Sequence, residues 1–286
     1  MGALKNRIDF VAFVSVRNAN PNGDPLMGNM PRMDRNNHGE ISPECIKRKL
    51  RNRLQAMGHP ICVVSNDKAT DGFTNIQSRV VDAVGKKDKT TTPLQYGQAV
   101  CKKFMDTRCF GGVFAWGKKE NDGPGDSIPV LGAVSINLAK SLDPVIINSM
   151  QITKSVNGTP SEKARGSDTM GMRHMVEFGV YRVEGSISVS AAARTGMTDE
   201  DAEVLKECLR TLFRDDESSA RPAGSMEVLK VYWFEHNGAG GPSVARVFRS
   251  VHAVRGNRCG LPTSVNDYTF SVDDIPGIVL TEIDGE

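Results

Sequence analysis

The chain has 286 residues, a formal net charge of only +2 and six cysteines at irregular spacings. This length allows one elaborated domain or two small ones, with enough residues for a hydrophobic core. The small net charge excludes a strongly cationic field around the whole protein, so a polyanion site has to come from local clustering. No Cys-x-x-Cys occurs and the five histidines share no ligand spacing, which argues against a zinc site.

The N-terminal residues argue against export. Lys5, Arg7 and Asp9 come before an apolar run that is far too short for a signal peptide or a membrane span. We therefore expect a cytoplasmic protein with reduced thiols, no membrane partner and no cofactor.

The first elements in chain order are a strand, a polar loop and a helix. Apolar residues at about 7 to 17 predict the strand, and Asn-Pro-Asn-Gly-Asp-Pro at 20–25 predicts tight turns after it. Ser42 is typical of an N-cap and Pro43 of a first helical position, so the helix is expected over about 43 to 57.

Basic residues dominate this helix, with Glu44 as its one acid. Lys47, Arg48 and Arg51 share one flank of its apolar stripe, which we interpret as the flank beside the polar loop. Such a cluster predicts a cradle for nucleic-acid phosphates. The alternative is a solvated helix face, which the scarcity of interleaved acids disfavours.

The later part of the chain alternates helices and strands. We predict an insertion or mobile segment at 65 to 92, helices at 94 to 105 and 198 to 213, a strand that begins at Arg108, and strands at 128 to 138, 176 to 189 and 228 to 235. The order strand, helix, strand, strand, helix, strand is that of ferredoxin-like and RNA-recognition folds, so the expected class is α+β.

A catalytic hypothesis rests on the first loop. Asp24, Asp34 and His38 lie close in sequence, and two carboxylates beside a phosphodiester can hold a divalent ion that activates water. The alternative is structural: Asp24 bonds its own turn, and Asp34 pairs with Arg32 or Arg35. Residues 112–118 resemble a phosphate-binding loop, but the magnesium-binding hydroxyl is missing because position 119 is lysine.

Several segments together closely resemble the Cas7 backbone subunits of the type I-C CRISPR Cascade surveillance complex. They are Asn20–Pro25, Gly28–Asp34, Cys45–Asn52, Arg108–Gly111, Thr169–His174 and Phe178–Tyr181. The resemblance implies a hand-shaped protein: a single elaborated domain over 1–286 with a modified RNA-recognition-motif (ferredoxin-like) core as its palm. It also implies a finger-like insertion at about 58 to 92 and a thumb hairpin at about 150 to 175.

The resemblance also implies a function. Such subunits bind guide crRNA independently of its sequence, oligomerise along it and present it for pairing with target DNA in antiviral defence. The implied partners are crRNA, target DNA by way of the guide, further copies of the chain, and the large, small and crRNA-end-capping subunits of Cascade. Related type III subunits cut RNA with an aspartate in the first loop, so a metal-dependent ribonuclease that uses Asp24 and Asp34 is the alternative. A lone single-stranded RNA chaperone is another.

Residue patterns and resemblance together predict an RNA-binding set and no catalytic or metal-binding residue. The set is Asn18, Asn20, Asn22, Arg32, Lys47, Arg48, Arg51, Asn52, Arg108, Lys154, Lys163, Arg165, Met170, Arg173 and His174. In the thumb, Met170 or Met172 is expected to wedge a base aside while cations hold the backbone. The alternative for the methionines is core filling, and for Arg108 it is a surface ion pair.

Overall fold

The computed structural model describes residues 2–115, 127–153, 170–256 and 259–286. These residues form fourteen strands and seven α-helices. The strands are β1 (Ile8–Ala19), β2 (Gly23–Asp24), β3 (Met30–Pro31), β4 (His38–Ile41), β5 (Gly111–Ala115), β6 (Ser127–Leu131), β7 (Val134–Ile136), β8 (Ala139–Pro144), β9 (Ile147–Thr153), β10 (Met170–Ile187), β11 (Met226–His236), β12 (Val251–Arg255), β13 (Tyr268–Val272) and β14 (Ile278–Asp284). The helices are α1 (Pro43–Ala56), α2 (Ile76–Val84), α3 (Pro93–Lys103), α4 (Met105–Phe110), α5 (Val189–Thr195), α6 (Asp199–Arg210) and α7 (Val244–Arg249).

An antiparallel sheet organises these elements, with the strand order β14-β11-β1-β10-β8-β4 and with β7 and β9 also paired to β10. Strand β1 lies in the interior of the sheet, where Ile8 is opposite Ile187 of β10 and Glu235 of β11. Helix α1 follows β1, and α6 connects β10 to β11. The predicted α+β class, with a large antiparallel sheet, is confirmed.

Both faces of the sheet are buried. On one face, Phe10 of β1 belongs to a cluster that includes Leu50 of α1 and Leu205 of α6. On the other face, Phe13 packs under α7 and the β12–β13 hairpin, and its ring stacks on Phe270 with centroids 4.4 Å apart. Burial on both sides explains why β1 reads as a nearly continuous apolar run instead of an alternating one.

Helix boundaries follow the predicted capping signals. The Ser42 hydroxyl accepts a hydrogen bond from the Cys45 amide at 3.2 Å, and α1 begins at Pro43. Thr198 and Asp201 form a reciprocal capping box at the start of α6. Both caps satisfy amides that have no partner within the helix, so they stabilise each helix start by about 1 kcal/mol.

A second, smaller core lies in the part of the chain that precedes β7. It is built by α2, α3, β5 and β6 around Val80, Tyr96 and Ile128. The sequence predicted an insertion or mobile segment over 65 to 92. It did not predict helix α2, which lies within this range. Burial of Val80, and of Arg79 paired with Asp71, packs α2 against α3.

Two of the predicted strands are wrong in their bounds. The strand expected from Arg108 begins only at Gly111, because residues 105–110 form α4. Gly111 ends that helix with a φ of 69°, a left-handed value that favours glycine. The strand expected over 128 to 138 is divided into β6 and β7.

Candidate nucleic-acid interface

The first loop, residues 20–42, is held in shape by its own asparagines. The Asn20 side chain donates to the Asn29 carbonyl at 2.7 Å, and the Asn22 side chain accepts from the Ser42 amide at 2.8 Å. Asn20 is buried and Asn22 half-buried. These two predicted RNA contacts therefore shape the loop and tie it to the start of α1.

Gly23 allows the loop to fold back on itself. Strands β2 and β3 pair across the fold, and a Cβ atom at Gly23 would lie 2.0 Å from Oδ1 of Asn29. Any side chain at this position would displace Asn29, which has a left-handed φ of 62°. The Asn-Gly-Asp segment thus gives a compact loop that exposes its tip.

Asp24 is engaged within the loop. One carboxylate oxygen accepts from the Leu26 amide at 3.1 Å and the other from the Arg32 guanidinium at 3.3 Å. The structure thus bears out the turn interpretation of Asp24. Arg32 is the partner of Asp24 and not of Asp34.

Asp34 is engaged as well. Its carboxylate accepts from the Asn36 and His38 amides at 2.8 and 3.0 Å and from the Lys140 ammonium at 2.9 Å. The Lys140 hydrogen bond lowers the pKa of Asp34 to about 2. The pairing expected with a neighbouring arginine is wrong, because Lys140 reaches the carboxylate from β8. Within the described ranges, no three His, Cys, Asp or Glu residues are grouped so that they could hold a metal ion.

The basic helix is neutralised by acids from distant parts of the chain. Arg51 donates from Nε to Asp106 at 2.9 Å, and Lys49 pairs with Asp216. The Arg51 side chain is only 12% exposed. These two cations are not on a solvated helix face, so that interpretation is wrong for them. The Arg51 guanidinium, which was expected to contact a phosphate, is paired with the carboxylate of Asp106.

Two residues of the predicted basic flank, Lys47 and Arg51, also face away from the first loop. Arg48 donates to the Val63 carbonyl at 2.6 Å, and Lys47 lies one turn before Arg51, on the α4 side of the helix. The side of α1 that meets the first loop carries Cys45, whose thiol lies 3.5 Å from the Pro21 carbonyl. At about 100° per residue, positions 47 and 51 cannot share that side.

A third segment, residues 215–222, joins α1 to the first loop. Asp216 anchors this segment to Lys49 of the helix. The Ala220 carbonyl accepts from the Asn20 amide at 2.8 Å, and the Ser219 carbonyl accepts from the Arg173 guanidinium. The buried ion pair of α1 thus positions a segment that reaches both the first loop and β10.

Strand β9 and the beginning of β10 form a two-stranded ribbon (residues 147–153 and 170–176). Met170 and Met172 are 54% and 56% exposed on it, so core filling does not explain them. The His174 ring bonds the Ser149 hydroxyl at 2.7 Å through Nδ1. The ribbon therefore presents apolar side chains, a cation and an imidazole together.

The first loop, the ribbon and residues 215–222 enclose a cleft of about 220 Å³, which we call the loop–ribbon cleft. Asn20 and Asn29 line it from the loop, and Met172, Arg173 and His174 line it from the ribbon. Two predicted site segments about 150 positions apart in sequence therefore form one surface. Amides, a guanidinium, an imidazole and an exposed thioether suit contacts with a nucleotide backbone and one base.

Other predicted residues lie elsewhere. Arg108 belongs to α4 and binds Asp201 through two bonds of 2.7 Å, so the ion-pair alternative fits and a place on the sheet is wrong. Asn18 is exposed with a φ of 49°, and Asn52 is half-buried on α1. Lys154, Lys163 and Arg165 lie outside the described residues.

Three exposed residues near these elements were not predicted. Leu26 and Met27 are 93% and 63% exposed at the tip of the first loop. Arg17 is exposed at the end of β1, with its guanidinium carbon 5.1 Å from the centroid of the Phe178 ring. Two features of the sequence could have indicated them: large apolar residues inside a polar loop, and a cation near the end of an apolar strand.

The covered sheet limits how a nucleic acid can bind. RNA-recognition motifs stack bases on aromatic side chains of an open sheet face. Here Phe13 and Phe178 belong to the cluster that α7 and the β12–β13 hairpin cover. The covered face therefore does not offer these rings for stacking with bases.

Two further properties concern membranes and thiols. No helix in the described ranges is long and apolar enough to cross a membrane. All six cysteines are described, and each is a free thiol. Burial raises the pKa of Cys62 to about 12.

A family model described as CRISPR-associated protein Cas7 matches residues 6–273. The chain belongs to the Cas7 family. A curated relative, CRISPR-associated protein Cas7 of Haloferax volcanii, is 26% identical over 234 residues, which cover 76% of this chain and 67% of that protein. Cas7 backbone subunits are non-catalytic, so the prediction that the chain is not an enzyme is confirmed.

Two solved chains resemble the fold of this Cas7 family member at 16% identity. One comes from a CRISPR RNA-guided surveillance complex described as pre-nicking; the match covers 85% of this chain and 81% of that chain, with a TM-score of 0.47. The other, from a CRISPR RNA-guided surveillance complex, has a TM-score of 0.45 and covers 85% of this chain and 74% of its own. Similarity at this level does not define a function.

Proposed function

We propose that this Cas7 family member is a backbone subunit of a type I-C CRISPR Cascade surveillance complex. It binds guide crRNA independently of sequence, oligomerises along it and presents it for pairing with target DNA in antiviral defence. The observation that carries the proposal is the loop–ribbon cleft, which joins the conspicuous first-loop motif to the exposed ribbon. The six segments that resemble type I-C subunits support the subtype.

The chemistry of the cleft suits RNA of any sequence. Arg173 supplies a cation for a phosphate, while Asn29 of the first loop offers an amide for a ribose or phosphate oxygen. Met170 and Met172 are exposed beside it and are flexible enough to separate stacked bases. None of these groups requires a particular base.

The strand order also supports a hand-shaped subunit. Strands β11, β1, β10 and β8 are neighbours in the order of a split βαβ palm, with α1 and α6 packed on one face. We propose that residues 58 to 92 contribute to a finger and that 150 to 175 form the thumb. Lys154, Lys163 and Arg165 would then hold the RNA backbone from the thumb.

The subunit is proposed to act in the cytoplasm with several partners. Copies would join head to tail, since one face of a copy meets a different face of the next, and such contacts build a helical stack. Guide RNA would run along the stack. The large, small and crRNA-end-capping subunits of Cascade would bind the same assembly.

Copurified RNA tests this function against the two alternatives. When the chain is expressed with a CRISPR array and its sister subunits, we expect copurified RNA of uniform length, with repeat-derived ends and varied spacers. RNA of random origin and length, bound by the chain alone, would instead indicate a general chaperone. Bound target RNA and DNA should remain uncut with Mg²⁺ or Mn²⁺, and cleavage that disappears in Asp24→Ala or Asp34→Ala would indicate the ribonuclease.

The thumb is tested by replacing residues 155–168 with a short Gly-Ser turn. We expect the isolated variant to stay folded, because the replaced residues lie in sequence between β9 and β10 and show no apolar periodicity. Its stacking on RNA should weaken, as measured by electron microscopy of filament length. Lys163→Ala with Arg165→Ala serves as the comparison, since it removes charge and keeps the segment. Full-length filaments with evenly spaced displaced bases in the Gly-Ser variant would contradict the thumb.

A further inference from the structure

A second cleft, of about 190 Å³, opens beside the C-terminal end of β1 and the middle of β10. Its lining includes Arg17 and Asn18 of β1, Ile146, Glu177 and Leu261. We call it the Arg17 cleft. It is smaller than the roughly 300–1,000 Å³ of a pocket for a drug-sized molecule, so it suits a single planar ring system.

Two contacts restrict the Arg17 guanidinium. Its carbon lies 5.1 Å from the Phe178 ring centroid, and Nη2 donates to the Thr263 carbonyl at 3.1 Å. Phe178 itself is buried, whereas Arg17 is exposed. Both side chains line the cleft, so a ligand there can reach the guanidinium, whose planar face is a stacking surface for nucleobases.

The other lining groups favour a base over a phosphate. Glu177 is an exposed carboxylate in the same cleft and would repel a phosphate that approached Arg17. Ile146 and Leu261 are 50% and 40% exposed and offer apolar contact to a ring. The Asn18 amide can donate to and accept from a base edge.

We propose that the Arg17 cleft binds one unpaired nucleobase of the RNA, stacked on the Arg17 guanidinium. This site rests on the proposed RNA-binding function and adds a base subsite to it. Arg17 and Asn20 are three residues apart in sequence, so their Cα atoms are at most about 11 Å apart. Neighbouring nucleotides can thus place a phosphate at the loop–ribbon cleft and a base here.

The test compares two probes of equal length, oligouridylate and an abasic ribose-phosphate oligomer, on the full chain and on Arg17→Ala and Arg17→Lys. Base stacking contributes about 1–3 kcal/mol, so the wild type should bind oligouridylate at least about fivefold more tightly than the abasic oligomer. Both variants should lose most of this ratio, because lysine keeps the charge and lacks the plane. Affinity for the abasic oligomer should be unchanged in Arg17→Lys.

Three outcomes would overturn the site. If Arg17→Lys keeps the wild-type ratio of affinities for the two probes, Arg17 acts only through its charge. If Arg17→Ala loses affinity for both probes equally, Arg17 contacts a phosphate and not a base. A wild type that binds neither probe would reject the proposed function together with the site, which distinguishes that failure from the first two. The folding control is the midpoint temperature of thermal unfolding, which should be the same in Arg17→Lys and the wild type. If Arg17→Ala does not fold, Arg17→Lys alone decides the test.

Discussion

Replacing Asp106 by alanine is expected to lower the free energy of unfolding by about 3–5 kcal/mol, the cost of leaving a buried charge without its partner. Asp106 is fully buried. Its carboxylate accepts from the Cys62 and Val63 amides at 2.8 and 3.1 Å and from Arg51 at 2.9 Å. The substitution leaves the buried Cys62 amide, the half-buried Val63 amide and the Arg51 guanidinium without this acceptor.

Urea unfolding monitored by circular dichroism measures this change. Asp82→Ala is the matched control, because Asp82 is an exposed aspartate on α2, and it should change stability by less than about 0.5 kcal/mol. Adding Arg51→Met to Asp106→Ala should restore part of the loss, since the unpaired cation is then removed. A loss below about 1 kcal/mol in Asp106→Ala alone would show that water reaches Arg51 and replaces the carboxylate.

Arg51 illustrates what the sequence could not show about this site. Its partner Asp106 is 55 positions away, and helix periodicity carries no information about such a contact. The scarcity of acids on α1 therefore suggested free cations, although their acidic partners come from α4 and from residues 215–216. A local charge pattern predicts a functional surface only where the fold leaves the charges unpaired.

The fold was predictable where local signals were strong. The apolar run of β1 and the caps of α1 and α6 gave these elements nearly at their observed bounds. Strands β12, β13 and β14 were not predicted, since they are short and half-exposed and gain their stability from pairing with distant segments. The first loop and Met170 to His174 were separately recognisable, but their meeting in one cleft depends on the long register of β1 with β10.

Removing one cation of the loop–ribbon cleft and one of the first loop should weaken RNA binding in a salt-dependent way. Arg173 lines the cleft, and Arg32 lies in the first loop with a side chain that is 36% exposed. Each lost phosphate contact on a single strand lowers the magnitude of the log–log salt slope by about 0.7. The double variant Arg32→Ala with Arg173→Ala should thus lower the magnitude of the slope by about 1.4. Between 1 M and 0.1 M salt, its affinity for RNA would then rise roughly 25-fold less than that of the wild type.

The control has to remove the same charge from another surface. Lys102 and Lys103 are exposed on α3, and their double alanine variant should leave the slope nearly unchanged. Lys47→Ala separates the two candidate surfaces, because Lys47 lies on the flank of α1 that faces away from the first loop. A reduced slope in Lys47→Ala, with none in the Arg32 and Arg173 variant, would place the phosphate contacts on α1 and not at the cleft. RNA affinity is measured by fluorescence anisotropy over about 0.05 to 0.5 M salt. Only variants with the wild-type unfolding midpoint are compared, so that counterion release and not loss of folding determines the slope.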